Sequence, residues 1–147
     1  MRCFDVQILE TGAFVDVHLG ISEIRRKVLM EHRMTPPPPL PLTFLVDTGA
    51  SISWIDEMHM RSLRLEPRSW ADVHTAQGKG VAKPFPTYEV SLVMGGVANS
   101  NTQRHELLIG GNSFINQSCD GLLGRDILNH YRLGWNGPAR ELHFEYN

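Results

Sequence analysis

The chain holds only two cysteines, Cys3 and Cys119, with no CxxC pair among its 147 residues. Two distant thiols cannot staple a small secreted fold, so two free thiols in a reducing compartment are expected, and the cytoplasm is the expected location. Long apolar runs are missing as well. No segment approaches the roughly 18 residues that a membrane span needs, so no membrane role is expected. The opening "MRCFDVQILETG" places Asp5 and Glu10 where a signal peptide would carry an unbroken apolar segment. The lone sequon at Asn116 is therefore read as chance. Charge of one sign is absent too. The formal net charge is −2, and the single basic cluster, Arg25-Arg26-Lys27 with Arg33, is broken by Glu23 and Glu31. Such a surface predicts no nucleic-acid partner.

Catalytic signatures of several classes are also missing. Seven histidines are scattered without HExxH or a Cys/His pairing at ligand spacing, so neither a metal nor a cofactor is expected. There is no GxxxxGK[ST] phosphate loop and no GxSxG elbow, and Cys119 has no persuasive histidine partner. Asp120, ahead of "GLLG", reads as a turn residue ending the "NQSCD" loop.

What is present is a succession of short alternating segments. "FDVQILE" and "AFVDVHLG" flank Thr11-Gly12 and predict a β-hairpin with one buried face. "ISEIRRKVLMEHRM" places Ile21, Ile24 and Val28 on one helical face, but strand or loop also remains open. Pro36 to Pro39, with Pro41, form a stiff connector within an insertion around 34–41. A short element over Ser62 to Trp70 ends at Pro67. "VHTAQGKGVAKPF" centres a mobile hairpin on Gln77-Gly78. "TYEVSLVM" and "HELLIGG" read as strands joined by a polar surface turn. "GLLGRDILNHYRLGW" passes from a buried strand into a helix from about Arg125 to His130, with Asp126 placed to favour its start. "RELHFEY" closes the chain as a strand. With one or two helices at most, the class is mostly β, and the length suits one domain over 1–147.

One stretch stands apart. "LTFLVDTGAS" runs an apolar ladder into the carboxylate of Asp47 and then into small residues. A charge at the end of a buried strand is costly unless something favours it or holds its proton. Gly49 permits a tight turn that aims backbone N–H groups at the carboxylate, and the Thr48 hydroxyl both donates and accepts. A site of this kind suits a carboxylate that works on water.

"LVDTGAS", followed about 70 residues later by "GLLGRDIL", resembles the retropepsin-like aspartic proteases, single-domain relatives of pepsin and of the retroviral enzymes. The resemblance implies a closed β-fold equivalent to one lobe of an acid protease, with one short C-terminal helix. One Asp-Thr-Gly turn per chain implies a homodimer in which two Asp47 side chains meet on the twofold axis and share a proton. It further implies a peptide or protein substrate and hydrolysis by carboxylate-activated water. Thr48 would bond across the axis, and Gly49 would offer backbone to the substrate. Ala50, Ser51 and Trp54 would line the substrate wall, Trp54 being equally readable as a core residue. Gln77 and Gly78 would lie on a flap. Arg125 would tie the helix, with Asp126, to the loop after the turn. Retroviral enzymes carry a second Asp four positions after the catalytic one, where this chain has Ser51, so Asp56 or a backbone carbonyl is left to receive Arg125. The runner-up reading is a dimeric module that binds extended peptide without cutting it. A third is a dormant protease whose proline insertion hinders dimerisation or blocks the cleft.

Overall fold

Alternating apolar residues dominate the chain, and strands dominate the structure. The computed structural model describes residues 1–73, 83–95, 103–114 and 117–147. Strand β1 (Arg2–Leu9) turns into β2 (Gly12–Ile21), and helix α1 (Glu23–Glu31) leads to β3 (Leu40–Val46). Strand β4 (Trp54–Asp56) and helix α2 (Glu57–Ser62) follow, then β5 (Ser69–Val73), β6 (Lys83–Met94) and β7 (Arg104–Asn112). The chain closes with β8 (Gly121–Leu123), α3 (Arg125–Leu128), β9 (Arg132–Asn136) and β10 (Glu141–Tyr146).

Six of these strands form a closed ring in the order β2, β3, β8, β4, β7, β6. The ring closes because β6 is long enough to pair with β7 and also with β2, where Val17–Ile21 runs antiparallel to Val90–Met94. Period-two alternation then sends one face of each strand inward. Val15, Val17 and Leu19 from β2 meet Phe44, Val90, Leu92, Ile109 and Leu123, all essentially inaccessible to solvent. β1 and β2 form a hairpin as expected, but their pairing covers only Ile8–Leu9 with Gly12–Ala13. The rest of β1 leaves β2 and pairs with β10, which in turn pairs with β9. Phe4 and Phe144 stack across this small sheet with ring centroids 4.7 Å apart.

Among the described residues there are three helices, the expected C-terminal one and two more. The open reading of 21–34 resolves to helix α1, started by the Ser22 hydroxyl accepting the Arg25 N–H. The element expected over Ser62 to Trp70 is instead two: α2 stops at Ser62, Arg64 turns the chain at a φ of 55°, and β5 starts beyond Pro67. Prolines 36–39 lead into the first residue of β3, and Pro39 packs against Gly20 of β2. Asp47 follows the last residue of the same strand, so the insertion and the turn are separated by the length of β3, roughly 20 Å.

Candidate active site

Burial fades along β3, from Leu42 and Phe44 in the core to Leu45, Val46 and Asp47, which are half-buried. The charge therefore stands where the strand emerges from the barrel. β8 runs parallel to β3, and the Asp47 N–H donates to the Leu123 carbonyl at 2.9 Å, extending that ladder by one residue. The chain then reverses: the Ala50 N–H donates to the Asp47 carbonyl at 3.2 Å, and the Gly49 N–H donates to Asp47 Oδ1 at 3.0 Å. This second bond orients the carboxylate. A Cβ on Gly49 would come within 3.2 Å of that same oxygen. Thr48, Gly49 and Ser51 are exposed, and Ala50 is half-buried.

The turn is held from beneath by the residues after β8. Arg125 Nη1 donates to the Thr48 carbonyl at 2.8 Å, and its backbone N–H donates to the Ala50 carbonyl at 2.9 Å. A backbone carbonyl thus receives the guanidinium. Asp56 is occupied at the start of α2, where its side chain accepts the Met58 N–H. Gly124 lies so close to the Ile52 carbonyl that any Cβ would overlap it, and Gly121 stands in the same relation to the Trp54 carbonyl. Both glycines are required by close approach of backbone to backbone.

Asp126 reaches Ser53. The Ser53 N–H donates to Oδ2 at 2.9 Å and its hydroxyl donates to Oδ1 at 2.7 Å, while Ser53 Oγ accepts the Gly124 N–H at 2.9 Å. Asp126 also accepts the Ile127 N–H, as its place at the start of α3 suggested. Ser53 is fully buried and escaped the sequence reading, because a serine between Ile52 and Trp54 carries no local mark of such a role. Asp120 lies in its expected turn and also fastens that turn, accepting the Thr43 N–H at 2.9 Å and standing 3.1 Å from His59 Nε2.

Trp54 is half-buried, on the strand face opposite the core residue Ile55. Its indole covers Gly110 and meets Phe85 with ring centroids 4.6 Å apart. Gln77 and Gly78 lie outside the described residues. Among the described residues, no three His, Cys, Asp or Glu side chains gather at metal-ligand spacing, and no helix is long and apolar enough to cross a membrane.

A family described as "gag-polyprotein putative aspartyl protease" matches residues 40–130. The chain belongs to this aspartyl protease family. The matched range starts at the first residue of β3 and ends just past α3, so this aspartyl protease domain includes both the Asp47 turn and the Gly124–Asp126 segment beneath it. The fold is retropepsin-like. A retropepsin-like aspartic protease from Rickettsia conorii superposes with a TM-score of 0.56 at 13% identity, over 98% of this chain and 90% of that one. A search of curated proteins finds no match. Strands β1 and β2, helix α1, the proline segment up to Pro39, and strands β9 and β10 lie outside the range of the family match.

Proposed function

We propose that this aspartyl protease family member is an endopeptidase whose dyad is Asp47 from each of two copies, with residues 1–147 acting as one domain. The observation that carries the reading is the presentation of the Asp47 carboxylate: aimed by the Gly49 N–H, fixed from below through Thr48, and flanked by exposed Thr48 and Gly49. That is half of a site, with a face a second copy can cover.

Two carboxylates brought together cannot both ionise cheaply, so the pair holds one proton between them. The ionised member takes a proton from a water as its oxygen attacks the peptide carbonyl carbon, and the protonated member donates to the developing oxyanion. Collapse of the tetrahedral intermediate breaks the C–N bond as the leaving amine accepts the proton that the first carboxylate took from the water. Neither a covalent intermediate nor a cofactor is required. Thr48 bonds across the axis, and Gly49, Ala50, Ser51, Trp54, Gln77 and Gly78 meet an extended peptide or protein substrate. Arg125 and Asp126 support the turn. A reducing compartment such as the cytoplasm suits the two unpaired thiols.

The test is cleavage of a diverse peptide library from about pH 4 to 7, the span in which a shared-proton carboxylate pair titrates, with molar mass recorded by light scattering and Asp47→Asn run alongside. The reading expects cutting by a species of twice the chain mass and none by Asp47→Asn. A well-formed dimer that cuts nothing would favour the peptide-binding module.

A further inference from the structure

The insertion between β2 and β3 helps to form a cavity that peptide hydrolysis does not use. It lies on the outer face of the β2–β6 pairing, where His18 and Gly20 stand beside Val93 and Ser91. Pro37 and Pro39, Arg26 of α1 and Arg104 of β7 complete its walls, enclosing about 390 Å³. That volume lies within the range of small-molecule pockets.

Among the described residues, two that line it each carry a buried polar atom with no hydrogen-bond partner. The atoms are Ser91 Oγ, on a residue only 5% exposed, and His18 Nδ1, itself buried. Buried polar groups in folded proteins almost always find a partner, so two orphans in one cavity point to an occupant. The charge at the wall says of what kind. Arg26 donates to both Glu23 oxygens, from Nε at 3.0 Å and Nη2 at 2.7 Å, and Arg104 Nη1 donates to Glu23 Oε2 at 3.0 Å. One carboxylate thus braces two guanidiniums and neutralises only one. Glu106, the neighbouring carboxylate, accepts the Glu23 backbone N–H and does not line the cavity.

We propose that this cavity binds a small oxyanion of the phosphate class. The Ser91 hydroxyl and His18 Nδ1–H donate to its oxygens, while Arg26 and Arg104, both held against Glu23, supply the opposing charge. The site is independent of the Asp47 chemistry, and Asp47→Asn binds as the parent does.

The experiment is a titration of the full chain with inorganic phosphate followed by two-dimensional NMR, at constant pH and ionic strength. Expected are saturable shifts centred on the amides of His18, Ser91 and Arg104, with affinity lowered about tenfold or more in Ser91→Ala and in Arg104→Gln. Arg104→Gln alters an exposed side chain and so keeps the test open if Ser91→Ala does not fold. Absence of saturable shifts, equal affinity in a folded variant, or a crystal structure grown in phosphate with only a water joining His18 Nδ1 to Ser91 Oγ would each overturn the proposal.

Discussion

Replacing Ser53 by alanine removes the acceptor of the Gly124 N–H and two oxygen-to-oxygen or amide links become one at Asp126. A buried donor left unsatisfied, with one charged hydrogen bond lost, is expected to cost about 2–3 kcal/mol. Urea unfolding of Ser53→Ala should show this as a lower midpoint at unchanged slope. An unchanged midpoint would mean the network carries no stability. Arg125→Lys tests a different property, because a flexible ammonium replaces the rigid guanidinium whose Nη1 holds the Thr48 carbonyl. On the proposed reading it lowers kcat/KM by about tenfold to a hundredfold through misplacement of the turn, with a melting temperature near that of the parent. The thiols separate as well. Burial pushes the Cys119 thiol up, whereas Cys3 is exposed, so iodoacetamide followed by mass spectrometry should find Cys3 modified first. At this scale the sequence makes Asp47, Thr48 and Gly49 readable, because a carboxylate after an apolar ladder and before small residues is unusual in itself. It leaves the acceptor of Arg125 open between Asp56 and a backbone carbonyl, since a backbone carbonyl has no side-chain signature. It hides Ser53 because the partner is 73 positions away.

Helix α1 buries none of its residues, and Ile24, Val28 and Met30 are exposed. Beyond the Ser22 cap, it is attached through Glu23, which pairs with Arg104 and donates its N–H to Glu106, and through Leu29, partly buried against the core. With so little apolar burial its amides should exchange with deuterium far faster than those of β2 and β6. Protection of α1 equal to that of β2 would show that something else covers it. The proline segment enters β3 at the end away from Asp47, so in a single copy it does not lie over its own turn. Shortening Pro36 to Pro39 would raise cleavage only if the segment obstructs a second copy. The strands were legible from their two-residue alternation. The helices were less so: α1 has apolar spacing suited to a core it does not enter, and α2 is a six-residue helix whose start is marked only by Asp56.

The ring itself was the least legible, because the pairing that closes it joins Val17 to Met94, and neither strand announces its neighbour. On β7, a strand of the ring, His105 is 7% exposed, with its Nε2 2.7 Å from the Tyr131 hydroxyl. Burial, and next the nearby His130, push His105 down to about 4, with Asp126 opposing. Burial likewise pushes the Tyr131 hydroxyl up, so it keeps its proton beside a neutral imidazole. An unfolded histidine titrates near 6.5, so between about 4 and 6.5 the unfolded chain binds the extra proton. Stability from this group is full above about pH 6.5, falls as pH drops through that window, and is lost below about 4, by an amount on the order of 2–3 kcal/mol. Denaturation of the parent and His105→Gln at several pH values should give a steeper acid loss for the parent; parallel curves would contradict it. An acid protease activity would then be limited from below by the stability of the fold. The clamp under the turn also has an order in time. Asp47 leaves the ribosome long before Leu123, Arg125 and Asp126, and until they follow, the Asp47 amide has no Leu123 carbonyl and the Thr48 carbonyl has no guanidinium. A nascent chain thus carries its Asp47 turn without these supports until residues 123–126 follow, so on the proposed reading translation itself delays the moment at which a new copy can cut its neighbours.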